Sequence, residues 1–235
     1  MVYFTNKESR HLKRTKLSDR IIPDYTKGEE ITNMVTHIVG GVMGIVAVVL
    51  CVVFAAISHN TYGVVAGAIF GATMIILYTM SSIYHGLKPE LTAKKVFQVI
   101  DHCAIFVLIA GTITPITLCT IREANTALGW TIFGIIWGVA ILGIVLNSID
   151  LKKFAIFSMI AYLGMGWCML SVAKIIVAGI GMRGMMLIFA GGISYTIGAI
   201  LYGIGAKKRY AHSVFHVFVV IGSLFHFLCI LMYVM

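Results

Sequence analysis

The sequence predicts an all-α membrane protein, a seven-transmembrane helix bundle with its amino terminus in the cytoplasm and its carboxyl terminus outside. Composition predicts the class, because 60% of the 235 residues are hydrophobic and only 11% are charged. The mean hydropathy of +0.98 also lies far above that of soluble domains. We therefore expect a multi-pass protein of the cell membrane, that is, of an inner or plasma membrane.

Seven apolar stretches of the chain are long enough to cross a bilayer, which takes about 20 helical residues. Polar and helix-breaking residues separate them, as expected where helices end. The predicted spans are approximately Asn33–Ile57, Val64–Tyr84, Phe97–Cys119, Leu128–Ile149, Phe154–Ala173, Gly184–Gly205 and Ser213–Met235. Residues 31–235 thus form one predicted membrane domain, and residues 1–30 form a basic cytoplasmic tail.

The distribution of positive charge predicts the orientation of these spans. Of the eighteen Lys and Arg residues, fifteen fall in the tail and in the second, fourth and sixth loops, against three in the other loops. Cytoplasmic segments carry the excess of Lys and Arg, so the tail is expected in the cytoplasm. Because the net charge of +9 is divided among these segments, we expect contacts with membrane lipids and not with nucleic acid.

Small residues within the spans are interpreted as packing residues. The five cysteines lie in apolar stretches without a CxxC pair, so we expect neither a disulfide framework nor a cysteine-based zinc site. Several glycines have the spacing that lets helices approach closely, and we interpret them as sites of intramolecular packing. These glycines form the pairs Gly40 and Gly44, Gly67 and Gly71, and Gly134 and Gly138.

Five polar side chains stand out within the apolar spans: Ser81, His85, Asp101, His212 and His216. Hydrocarbon tolerates such residues poorly, so a group of them indicates a functional site. With a rise of about 1.5 Å per residue, the predicted topology brings all five to the cytoplasmic leaflet. We therefore expect them at one membrane depth.

The spacing of the histidines predicts a zinc site. His212 and His216 are four residues apart and share one helix face, and Ser81 and His85 repeat this geometry on the second span. Imidazole suits zinc, and three protein ligands leave a fourth position for water, which zinc activates as a nucleophile. We expect His85, His212 and His216 to hold the metal. Asp101 would hold or deprotonate the water, and Ser81 would orient it or a ligand.

The same residues allow two other interpretations. The histidines could form hydrogen bonds between helices and stabilise their packing. Alternatively, Asp101 and the histidines could form a proton relay. Spacing alone does not decide among these, since a metal also needs partners that only the fold can bring together.

Other polar residues of the spans receive accessory interpretations. Glu30, Asn33 and His37 lie on one face of the first span and could line the cytoplasmic mouth of the site, although capping and packing explain them as well. His102 points about 100° away from Asp101 and is interpreted as a packing or supporting group. His226 is expected to be a hydrogen-bonded interior residue.

These motifs carry a family resemblance. The S-x3-H pattern ending at His85, Asp101 in the third span and the H-x3-H pattern from His212 to His216 resemble the signature shared by alkaline ceramidases, progestin and adipoQ receptors and hemolysin III proteins. The segment from Glu30 to His37 is similar to the E-x2-N-x2-T-H pattern of the receptor and hemolysin III branches. The small size, short loops and the Asp–His pair at Asp101 resemble the bacterial hemolysin III type. The resemblance implies a seven-helix fold with zinc on the three histidines.

Three functional classes follow. The first is a zinc-dependent hydrolase of a lipid-like amide or ester, similar to a ceramidase, with a lipid-like substrate inside the bundle. The second is a non-catalytic sensor or receptor with structural zinc. The third is the cytolytic pore that the family label suggests, which the sequence disfavours because no predicted helix carries a continuous polar stripe. We rank the hydrolase first.

Overall fold

The computed structural model of the chain describes residues 15–205 and 208–235. The first fourteen residues of the predicted tail, and Lys207 of the sixth loop, lie outside this range. Every regular element in the described part is helical, which confirms the all-α class.

Eight α-helices follow one another in the described residues, most of them joined by connections of a few residues. They are α1 Lys27–Ile57, α2 Thr61–Gly86, α3 Thr92–Pro115, α4 Arg122–Ala124, α5 Thr126–Asp150, α6 Ala155–Trp167, α7 Ala173–Gly205 and α8 Ala211–Tyr233. A π-helical segment, Ile116–Ile121, joins α3 to α4, and 3-10 turns occupy Leu17–Asp19 and Cys168–Val172. The helical stretch Thr92–Ala124, which includes α3, lies at the centre of the bundle, since 83% of an 18-residue part of it is buried, against 22% for α5.

Six helical stretches of the described chain are long and apolar enough to cross a membrane. Five of them overlap one predicted span each, whereas the stretch Ala155–Gly203 overlaps both the fifth and the sixth. A straight helix of its 49 residues would be about 73 Å long, more than twice the hydrocarbon thickness of about 30 Å. Gly181, with φ 72° and ψ 172°, interrupts the helix in a conformation that residues with a Cβ rarely adopt.

The parts of this stretch before and after Gly181 contact the same region of α3. In the part before Gly181, the Tyr162 hydroxyl donates to the His102 carbonyl at 2.8 Å. In the part after Gly181, the Tyr202 hydroxyl lies 3.1 Å from His102 Nε2. Between them, Gly179 packs against Thr120, beyond the other end of α3. The chain therefore runs the length of the bundle and returns between residues 155 and 205.

Close packing of α1 against α2 depends on glycine. A Cβ on Gly40 would lie 2.6 Å from the Tyr78 ring, and one on Gly71 would lie 2.6 Å from the Val48 backbone nitrogen. Gly44 and Gly67 are similarly close to the neighbouring helix. These contacts confirm the packing role predicted for the two pairs.

The third predicted glycine pair behaves differently. A Cβ on Gly134 or on Gly138 would meet no atom of the described chain within 4 Å. Both positions lie on the outer side of α5, so the expected intramolecular role is wrong for this pair. On α5, Gly143 instead makes the close contact, against the Phe106 ring.

The substitution Gly71→Ala should lower the stability of the bundle by about 1–3 kcal/mol, because the new methyl group forces α1 away from α2. Thermal unfolding of the purified protein in detergent measures this change. Gly138→Ala is the matched control and should leave the melting temperature unchanged or raise it, since alanine favours helix and has free space there. Equal melting temperatures for Gly71→Ala and the wild type would contradict the close contact.

Candidate metal centre

Three buried histidines meet at the end of the bundle where α1 begins. His85 lies in the last turn of α2, and His212 and His216 lie in the first two turns of α8. One nitrogen from each ring lies within 4.8 Å of the others. The Nε2 atoms of His212 and His216 are 3.0 Å apart. The convergence expected from the sequence is therefore present.

The start of α8 positions two of these rings. Tyr210, which precedes the helix, has a left-handed backbone with φ 59°. Its backbone N–H donates to Glu29 Oε1 at 2.7 Å, and the other oxygen of this carboxylate accepts from Thr26 in a capping box at the start of α1. The beginnings of α1 and α8 are thus joined, which places His212 and His216 beside α1.

His85 is oriented by a carboxylate. Its Nδ1 lies 2.6 Å from Glu30 Oε2, and because an ionised carboxylate only accepts hydrogen bonds, Nδ1 carries the proton. The Asn33 amide nitrogen lies 3.4 Å from the same Nδ1, but both atoms are donors in this tautomer, so the two do not form a hydrogen bond. His85 Nε2 is then the lone-pair donor, and it is buried without a hydrogen-bond partner among the described residues.

A buried lysine completes this arrangement. Lys94, at the start of α3, is fully buried and donates to Glu30 Oε1 at 2.6 Å and to the Leu87 carbonyl at 2.8 Å. A lysine charge is rarely buried unless it is paired, and here the pair also fixes the group that orients His85. The sequence interpretation assigned Glu30 to the mouth of the site and missed Lys94, because nothing distinguishes it from Lys95 in the sequence.

His37 lies against the inner side of the three histidines. Its ring stacks on His216 with centroids 3.8 Å apart and meets the Tyr78 ring edge-on at 5.0 Å. Both of its ring nitrogens are buried and have no hydrogen-bond partner in the described chain. His37 therefore packs against the candidate ligands and does not line an opening.

Tyr25, which the sequence interpretation missed, covers the histidines at the end of the bundle. Its ring stacks on His212 with centroids 4.9 Å apart, and it lies 5.9 Å from the His85 ring. Burial raises the pKa of the Tyr25 phenol, and the nearby Tyr202, Glu30 and Asp101 add to this effect. The phenol is therefore protonated at neutral pH and can donate a hydrogen bond. No sequence signal marks one aromatic residue in a polar tail.

Neither of the two predicted catalytic residues forms a hydrogen bond with the three histidines in the described chain. Ser81 is buried one helical turn before His85, and its Oγ has no partner among the described residues. Asp101 has one polar contact in the described chain, with His102 Nδ1 at 3.8 Å, and its side chain is 14% exposed. Their catalytic roles stay predictions.

The other two histidines of the spans do not belong to the three-histidine cluster. His102 Nδ1 lies 2.7 Å from the Gln98 carbonyl and its Nε2 lies 3.1 Å from the Tyr202 hydroxyl, and the packing or supporting role of this ring stays a prediction. His226 is interior, but it stacks on Tyr195 with centroids 5.4 Å apart, and the described residues offer it no hydrogen bond. The expectation of a hydrogen-bonded His226 is therefore wrong.

The geometry of the three imidazoles fits one small divalent cation. Tetrahedral zinc, with Zn–N distances of about 2.0–2.1 Å, needs ligand nitrogens about 3.3 Å apart. The separation of 3.0 Å between the Nε2 atoms of His212 and His216 is near this value, and the other separations are at most 4.8 Å. An unpartnered buried Nε2 on His85 is also available. The contact between His212 and His216 also fits an N–H···N hydrogen bond, as expected if these histidines stabilise packing and bind no metal.

Comparison with known proteins agrees with the resemblance seen in the motifs. A family model described as haemolysin-III related matches residues 25–227. A hemolysin-3 homolog of Bacillus subtilis is 39% identical over 209 residues, which cover 89% of this chain and 96% of that protein. Hemolysin-3 of Bacillus cereus is 36% identical over 208 residues, which cover 88% and 92%.

A more distant similarity reaches an animal protein. The human monocyte to macrophage differentiation factor is 23% identical over 182 residues, which cover 75% of this chain and 74% of that protein. The match to the family model, the two Bacillus relatives and the six apolar helices lead to one conclusion. This chain belongs to the haemolysin-III related family and is a multi-pass protein of the cell membrane.

Proposed function

We propose that the protein is a zinc-dependent membrane hydrolase that cleaves a lipid-like amide or ester. The observation that carries this proposal is the buried convergence of three imidazole donors from α2 and α8, with His85 Nε2 unpartnered. Three protein ligands leave one coordination position open, which is typical of catalytic zinc sites. Bound zinc would supply a Lewis acid that acidifies water and polarises a carbonyl.

Each side chain of the centre has a proposed task. His85, His212 and His216 hold the ion, and Glu30 keeps His85 in the tautomer that offers Nε2. Ser81, buried with a free hydroxyl, orients a ligand or the substrate. Asp101 takes a proton during hydrolysis, since its carboxylate is not committed to a close ion pair in the described chain.

We further propose seven membrane crossings with the amino terminus in the cytoplasm. The stretch Ala155–Gly203 is too long for one crossing, is interrupted at Gly181, and returns to the region of His102 from which it started. Counting it as two crossings gives an odd total. The positive charge of the tail and of the second, fourth and sixth loops then lies on the cytoplasmic side, which is the usual distribution.

A non-catalytic sensor with structural zinc is the second candidate. It is favoured by the enclosure of the histidines, which are buried and covered by the Tyr25 ring. A substrate would have to displace this ring, whereas a structural ion would not. Under this alternative, His212→Ala lowers the melting temperature while the wild type shows no hydrolytic turnover.

Measurement of the zinc content tests the metal site that both candidate functions require. The purified wild type should contain about one zinc per chain, and His85→Ala should lose most of it, because two protein ligands hold zinc far more weakly than three. Elemental mass spectrometry measures the content. His59→Asn is the matched control, since it removes an exposed imidazole at a position with φ 54°, which asparagine tolerates. A wild type without metal, or a His85→Ala protein with full metal, would contradict the site.

The substitution Glu30→Gln should weaken zinc binding by about 10- to 100-fold, because the group that orients His85 loses its charge. Competition with a chelator measures the affinity. Glu90→Gln, in the exposed loop between α2 and α3, is the control and should bind zinc as the wild type does. Unchanged affinity in Glu30→Gln would show that this carboxylate does not support the metal.

Hydrolysis is tested with Asp101→Asn. Release of fatty acid from a ceramide-like amide should fall by more than about 100-fold while the zinc content stays at the wild-type level. Asp19→Asn, an exposed acid of the same charge, should leave the rate unchanged. Absence of turnover in the zinc-loaded wild type, over a panel of lipid amides and esters, would reject the hydrolase and favour the sensor.

A further inference from the structure

A cavity separate from the metal centre lies between the amino-terminal segment and the helices α3 and α5. Its volume is about 430 Å³. The lining includes two cations and a set of apolar side chains from the segment and from α3, namely Lys16, Arg20, Leu17, Val96, Val99 and Ile100. The cavity therefore combines positive charge with an apolar wall.

Arg20 is the unusual residue of this cavity. Two of its guanidinium nitrogens, Nε and Nη1, are shielded from solvent and have no hydrogen-bond partner within residues 15–205 and 208–235. Among the described residues, no carboxylate oxygen lies within 4.0 Å of the guanidinium. The acid at the end of α5, Asp150, is instead engaged by the backbone N–H groups of Thr15, Lys152 and Lys153. Arginine stays protonated in proteins, so within the described chain this half-buried cation has no carboxylate partner.

The segment that carries Arg20 is fixed at this position. Thr15 donates its backbone N–H to Asp150 Oδ2 at 2.8 Å, and Lys95 Nζ donates to the Ser18 carbonyl at 2.6 Å. The second contact occupies Lys95, so Lys16 and Arg20 are the cations left to face the cavity. The cavity lies beside the first turns of α3 and the last turn of α5, where a span meets the headgroup region.

We propose that this cavity binds one acidic phospholipid of the cytoplasmic leaflet. The planar guanidinium of Arg20 matches a phosphate through paired hydrogen bonds, and Lys16 adds charge at the rim. Leu17 and Val96, which are 38% and 39% exposed, together with Val99, contact the glycerol and the upper acyl chains. A free phosphate would leave this apolar wall uncovered, which favours a lipid as the occupant.

This lipid site depends on the proposed orientation of the chain and not on the metal chemistry. The cytoplasmic leaflet is the one that holds acidic lipids in excess, and near-surface Lys and Arg residues attract them. Lipid binding can therefore fail while zinc binding stands, and zinc binding can fail while lipid binding stands. The two are measured separately on the same preparation.

Native mass spectrometry of the full-length protein in detergent, with phosphatidylglycerol or phosphatidylcholine of identical acyl chains, tests the proposal. The wild type should retain one phosphatidylglycerol, and Arg20→Gln should retain about fivefold less, the effect of one near-surface cation. Arg209→Gln is the matched control, because it removes an exposed arginine at the same end of the bundle. It should retain phosphatidylglycerol as the wild type does.

A second variant keeps the test decisive if Arg20→Gln folds poorly. Val99→Trp fills the cavity, leaves Arg20 in place and should also lose the retained lipid. Equal retention of both lipids by the wild type, or undiminished retention by the two variants, would overturn the proposal. Inorganic phosphate that raises the melting temperature as much as phosphatidylglycerol does would assign the site to a free anion and overturn it as well.

Discussion

Two adjacent carboxylates at the start of α1 hold together the end of the bundle where the histidines meet. Glu29 accepts from the backbone of Tyr210 and so joins α1 to α8. Glu30 accepts from Lys94 and His85 and so joins α1 to α3 and α2. Removing one partner of a buried ion pair costs about 3–5 kcal/mol, because the other charge is left unpaired in a weakly solvated environment. The positions of all three candidate ligands depend on these contacts.

The candidate metal centre is therefore a group of polar side chains inside an apolar helix bundle, and these side chains surround the histidines. Glu30 and Lys94 lie on the outer side of His85, and His37 stacks against His216 on the inner side. Deeper in the bundle, the hydroxyls of Tyr78 and Tyr195 both bond Ser223, and Tyr195 stacks on His226. Most polar groups of these spans find partners within the protein, as hydrocarbon requires. Among the described residues, His85 Nε2 and Ser81 Oγ are left without partners, and the proposed function assigns a metal ion or a ligand to them.

Sequence reasoning could predict the histidine cluster because it depends on two properties that can be read along the chain, the spacing of residues in a helix and the order of the spans. The four-residue spacing of His212 and His216 fixes a shared face, and the span count fixes the end of the bundle to which His85 belongs. Lys94 could not be predicted, since its burial arises from Glu30, 64 residues earlier in the chain. Gly134 and Gly138 show the same limit, because spacing identifies a smooth helix face and does not tell which neighbour covers it.

The exact boundary between the predicted fifth and sixth spans could not be predicted either, because it depends on contacts between distant parts of the chain. The sequence placed two spans there, whereas helix continues through most of the region and only Gly181 leaves the helical conformation. Tyr25 was missed for a related reason, since hydropathy assigns it to the polar tail and its contacts with His212 and His85 come from the path of the chain.

The extended stretch before α1 has one further consequence. Arg20 and Tyr25 are five residues apart, so they are separated by at most about 17 Å of chain. One of them lines the cavity beside α3, and the other covers the histidines. The cavity and the cover over the histidines are therefore built from one short continuous piece of backbone.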